Sequence, residues 1–109
     1  MALIGFFIPS FPTILGCECS GVVEAVGSDV KNVKVGDAVF GGSINCGTYA
    51  EYCACPADAV APKPQSLSFD QAASIAVGLY TAGLGLYHYL HLPVPPAKVG
   101  WMDAVSNIG

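Results

Sequence analysis

One hundred and nine residues allow one modest domain. The composition is 53% hydrophobic and 11% charged, against about 25% charged in an average soluble domain, so the chain either buries much of itself or shows apolar surface to a partner. The net charge is −4, and the only basic residues besides two histidines are four scattered lysines, Lys31, Lys34, Lys63 and Lys98. That balance excludes the basic face that nucleic-acid binding requires.

The first fifteen residues have no basic stretch and are broken by Pro9 and Pro12, unlike a secretory leader. A cytoplasmic, reducing location is expected, with the five cysteines as free thiols. Gly21 to Val26 is short and valine-rich, which predicts a half-buried strand. Gly27-Ser28-Asp29 reads as a turn. Val33, Val35 and Ala38-Val39-Phe40 predict a second strand, entered through Gly36-Asp37, and Gly41 to Cys46 a short loop. Gly47 to Cys55 predicts a third strand with Tyr49, Glu51, Cys53 and Cys55 on one face. On that reading Tyr49 faces the core and Tyr52 the surface, or the reverse. A fourth extended piece centres on Ala59-Val60-Ala61, between Pro56 and Pro62.

The pattern changes at Ser66. Ser68 followed three residues later by Gln71 is a capping box, and Asp70 lies in the first turn where the helix dipole favours it. A helix is expected to about Val77, a break at Gly78, and a second helix from about Leu79 to Leu90, ended by Pro93, Pro95 and Pro96. Ala72 to Leu90 is long enough to cross a bilayer. Gly78, Gly83 and Gly85, the polar Ser74 and Thr81, and the lack of flanking cations argue instead for a buried or interface helix pair and no membrane span. Val99 to Met102 begins a further strand. The whole predicts a mainly β fold with helices: a small barrel over residues 1–66, a helical connector over 67–97, and the start of a second domain over 98–109.

Two Cys-x-Cys pairs, Cys17/Cys19 and Cys53/Cys55, put side chains on shared strand faces. A metal site drawn from these four, or with Cys46, is one reading. Small buried hydrophobes is the other, favoured by the absence of two-residue zinc spacers. His88 and His91 share a helical face without a third donor.

Gly16 to Gly27 (GCECSGVVEAVG) resembles the N-terminal, GroES-like domain of the medium-chain dehydrogenase/reductase superfamily. So do Phe11 to Leu15, Val35 to Gly41, Gly47 to Tyr52, Leu67-Ser68-Phe69 with Ala72-Ala73, and Gly78 to Ala82, in the family's order. The closest flavour is the zinc-independent branch of quinone-oxidoreductase-like proteins and fungal trans-acting enoyl reductases. The resemblance implies a partial GroES-like barrel leading into a Rossmann domain. It further implies hydride transfer from NADPH to an α,β-unsaturated carbonyl, on a small-molecule or carrier-bound enoyl substrate.

The family's catalytic zinc ligands do not carry over. The histidine beside Glu18's position is Cys17, a third ligand position is Val77, and only Met-Ala-Leu-Ile precedes Gly5. Ser43-Ile44-Asn45-Cys46 stands where the structural zinc lobe would be. No metal is therefore expected, since catalytic zinc needs three protein ligands. Thr81 matches the threonine that faces the nicotinamide end, although a helix-capping role is an equal reading. Lys98 to Gly109 aligns with the first Rossmann strand and glycine loop; Asp103 and Ala104 replace its first glycines, leaving Ser106 and Gly109 as the residues that fit. No catalytic residue is identified. The expectation is a chain truncated at both ends, a fragment of such a reductase without activity alone. Two rivals are a non-catalytic GroES-like binding or assembly module, with an oligomer through residues 72–90, and a truncated gene product.

Overall fold

Residues 10–94 are described by the structure, a computed structural model. Three short strands form one antiparallel sheet: β1 (Cys19–Val22), β2 (Ala38–Gly41) and β3 (Val60–Pro62), in the order β1-β2-β3. A 3₁₀ turn, Ala57–Ala59, leads into β3. Two α-helices follow, α1 (Phe69–Ala73) and α2 (Ala76–Gly83), and a π-helical segment continues α2 over Leu84–Tyr89. The order of sheet then helices fits the expected partial barrel with a helical connector. The expected strand at 99–102, with the rest of 98–109, lies outside the described residues.

β2 is central. Cys19 pairs with Gly41, Ser20 with Phe40, Gly21 with Val39 and Val22 with Ala38. On its other side Val39, Phe40 and Gly41 pair with Pro62, Ala61 and Val60. Backbone bonds continue both ladders past the strand ends: Val23 N–H to Asp37 O at 2.9 Å, Gly36 N–H to Val23 O at 2.8 Å, and Gly42 N–H to Ala59 O at 2.9 Å. Cross-strand partners share a sheet face. Cys19, Gly21, Val39, Gly41 and Val60 therefore lie on one face, and Ser20, Phe40 and Ala61 on the other. Phe40 is buried, and α1 packs over β1 and β2 with Ala72 fully buried beneath it.

Two glycines are required by backbone geometry. Gly36 has φ +91° at the third position of the turn Lys34-Val35-Gly36-Asp37, closed by the Asp37 N–H to Lys34 O bond at 3.1 Å. That is the position where a type II turn demands positive φ. Gly42 has φ +133°, and a Cβ there would run into the carbonyl oxygen of Cys17. Its bare backbone lets the Cys17-Glu18 segment lie against the end of β2.

Several sequence expectations are corrected. Gly21, expected to open the first strand, lies inside β1, which starts two residues earlier at Cys19 and stops at Val22. Residues 47–55 do not form a strand. The Thr48 and Tyr49 N–H groups bond the carbonyls of Gly16 and Leu15 at 3.2 and 2.9 Å; beyond them, residues 49–52 bend and find no ladder among the described residues. A strand without a partner leaves its peptide groups to solvent. In consequence Tyr49 and Tyr52 are both exposed, at 79% and 77%, rather than one facing the core.

The helix break also moves. It falls at Ser74-Ile75 instead of Gly78, which sits inside α2. The Ser74 hydroxyl donates to the Gln71 carbonyl at 2.9 Å and its N–H turns back to Ala72 and Asp70 carbonyls, the local competition by which serine ends helices. The capping box is present as expected: Gln71 N–H to Ser68 Oγ at 3.1 Å and Ser68 N–H to Gln71 Oε1 at 3.0 Å. The chain leaves the π segment through His91, whose φ of +52° allows the Leu92 N–H to return to the Leu86 carbonyl at 3.1 Å. This closure spans one residue more than the six-to-one bond of a Schellman turn, in keeping with the wider π segment that it ends. Among the described residues, no helix is long and apolar enough to cross a membrane.

Candidate functional site

One face of the sheet opens into a wide groove of about 1020 Å³, with Glu18, Cys19, Val23, Val39, Thr48 and Val60 in its wall. The glycines at the end of β2 and the pairing of Cys19 with Gly41 bring the Cys17-Glu18-Cys19 segment to this groove. Glu18 is half-buried there. Thr48 contributes a buried hydroxyl without a hydrogen-bond partner among the described residues. In the sequence Thr48 reads only as part of an expected strand. No periodicity could have found it, because its burial comes from the Leu15-Gly16 pairing rather than from a strand face.

The densest chemistry in the groove wall is a group of thiols. Cys53 and Cys55 stand two residues apart, ahead of the 3₁₀ turn at Ala57–Ala59. The Cys53 Sγ lies 3.8 Å from the Cys19 Sγ and 3.8 Å from the Cys55 Sγ. All three sulfurs are within 4.8 Å of one another. All five cysteines are unbridged, and Cys46 is buried. Burial, reinforced by the neighbouring Cys53, pushes the Cys19 thiol up to about 11. Burial, reinforced by the neighbouring thiols, pushes Cys55 up as well. Of the four cysteines read as a possible metal set, the fold gathers Cys19, Cys53 and Cys55 and leaves Cys17 out.

The other sequence candidates do not converge. Thr81 is the sixth residue of α2 and exposed; with the helix starting at Ala76, it sits at neither a helix start nor a cap, and the N-cap is Ile75. Val77, exposed on the same helix, offers no donor atom. Ser106 and Gly109 lie outside the described residues. A dinucleotide needs a glycine turn running from a strand into a helix N-terminus. None occurs among the described residues, so they do not fit that cofactor by themselves. His88 and His91 gain no third donor among the described residues.

Residues 2–65 match the model of the alcohol dehydrogenase GroES-like domain. The chain belongs to this family. It is 39% identical over 101 residues to the trans-enoyl reductase apdC of Emericella nidulans, an alignment covering 84% of this chain and 30% of that protein. It is 42% identical over 80 residues to the quinone oxidoreductase of Sus scrofa, covering 73% of this chain and 24% of that one. Among solved structures it resembles the quinone oxidoreductase from Coxiella burnetii, with a TM-score of 0.59 at 40% identity, covering 73% of this chain and 27% of that one. It also resembles a mycobacterial protein complexed with NADPH, with a TM-score of 0.60 at 39% identity, covering 84% and 27%. The GroES-like chain thus spans about a third or less of the length of these relatives. Trans-enoyl reductases and quinone oxidoreductases as relatives agree with the zinc-independent branch of the medium-chain dehydrogenase/reductase superfamily.

Proposed function

We propose that this GroES-like chain supplies the barrel side of an NADPH-dependent reductase that acts on an α,β-unsaturated carbonyl of the enoyl or quinone type. The observation that carries this reading is the groove on one face of the sheet, in a chain about 40% identical to trans-enoyl reductases and quinone oxidoreductases. In such a reaction the nicotinamide supplies the hydride, and the protein orients substrate and cofactor. The groove wall would hold the apolar substrate against Val23, Val39 and Val60, with Glu18 and Thr48 as its polar groups. Thr81, Ser106 and Gly109 are the residues of this chain assigned to the cofactor side.

The test is a chimera. Residues 10–94 would replace the matching segment of a full-length trans-enoyl reductase, and NADPH oxidation would be followed with an enoyl thioester and with a quinone. Turnover with either substrate is expected; a folded chimera inert towards both would overturn the reading. The 109-residue chain alone should show no rise in Tm as NADPH is added, because the described residues hold no pyrophosphate loop.

A second reading, of an assembly module, draws on the helical face: Tyr80, Leu86, Tyr89 and Leu90 are all exposed. Residues 72–90 would then bury against a second copy of the chain. Sedimentation equilibrium should give a discrete dimer, and Leu86→Asp together with Leu90→Asp should return it to monomer. A monomer of the unaltered chain at high concentration would remove this reading.

A further inference from the structure

The thiol group at the edge of the groove has the dimensions of a metal site. A tetrahedral cation with metal–sulfur bonds of about 2.3 Å holds its thiolates about 3.8 Å apart. Two of the three sulfur–sulfur edges, Cys19–Cys53 and Cys53–Cys55, are 3.8 Å, and the third is within 4.8 Å. A disulfide needs about 2.05 Å, so no pair is bonded; the sulfurs are spaced as ligands rather than as a bridge. Two separate parts of the chain meet at the site: β1 fixes Cys19 opposite Gly41, and the segment before the 3₁₀ turn brings Cys53 and Cys55 against it. Cys53 is exposed, which gives a cation a path in, while Cys19 and Cys55 are half-buried.

We infer that Cys19, Cys53 and Cys55 form a binding site for a thiophilic divalent cation of the zinc and cadmium class. The cation takes three thiolate sulfurs, each thiol giving up its proton to solvent as the metal–sulfur bond forms. Soft thiolates select such ions over the hard, oxygen-seeking magnesium and calcium. The site uses neither Cys17 nor Val77, the positions that match the catalytic zinc ligands of zinc-using relatives. It does not depend on the reductase reading.

The probe is Cd²⁺, added to the reduced, metal-free 109-residue chain. Binding is read from sulfur-to-cadmium charge-transfer absorption in the ultraviolet and from the cadmium retained per chain after gel filtration. One cadmium per chain with a thiolate band is expected. Cys53→Ser, at an exposed position, should weaken binding by at least about 100-fold, since even groups that only orient ligands cost 10- to 100-fold. Cys17→Ser should bind as the unaltered chain does. No retained cadmium, or equal loss in Cys17→Ser and Cys53→Ser, would overturn the site. Circular dichroism of each variant separates a lost ligand from a lost fold. A Cys53→Ser chain that is folded and binds undiminished also overturns it.

Discussion

At the scale of single residues, the turn before β2 shows how a short motif does several jobs. Lys34 and Asp37 are bound to each other three ways. The Asp37 N–H donates to the Lys34 carbonyl, the Lys34 N–H donates to Asp37 Oδ2 at 3.0 Å, and the Lys34 ammonium pairs with Oδ1 at 2.6 Å. The Lys34 side-chain and backbone hydrogen bonds hold the Asp37 carboxyl below its ordinary value. A depressed carboxyl stabilises the fold above its unfolded value and loses that contribution as the pH falls through its folded one. Asp37→Asn should therefore lower Tm by a few degrees at most at neutral pH. The difference should vanish in acid below the ordinary carboxylate range, which paired thermal melts at the two pH values would check. Lys34 is exposed and the pair is screened by solvent, so the effect is small.

At the scale of elements, the start of α1 was legible because its signal is local: Ser68 and Gln71 need only three residues' separation to satisfy each other's backbone. Ser68→Ala should cost about 1 kcal/mol in urea unfolding. Lys63 supports the same start from outside the helix, donating to the carbonyls of Pro64 and Leu67 and standing 5.1 Å from the Phe69 ring centre. The strands containing Val39-Phe40 and Val60 were legible too, since apolar runs between glycines and prolines mark them. The segment 47–55 was not. Whether it forms a strand is decided by a partner's backbone, and its alternation carries no information about a partner. The helix break was misplaced for a related reason. Glycine is a statistical breaker, whereas Ser74 acts through a specific bond to Gln71 that the sequence leaves unresolved. The π segment had no sequence signature at all. The thiol group was half legible: spacing suggested four cysteines, and the fold brings together three of them, leaving Cys17 out.

At the scale of the whole molecule, the described residues bury few apolar side chains. Phe40, Cys46 and Ala72 form the buried apolar set, while large hydrophobics from Phe11 to Val94 stay exposed, Phe11 at 77% and Tyr89 at 71%. An exposed apolar surface of this extent is the kind that marks an interaction site, and the assembly reading draws on it. The same sparse interior has a thermodynamic reading. The heat capacity of unfolding and the slope of stability against denaturant both scale with the surface released when a chain opens. A fold centred on one buried aromatic ring releases little. Its unfolding should spread over a wide range of urea and temperature, and anything that covers the exposed faces should sharpen the transition as well as raise it.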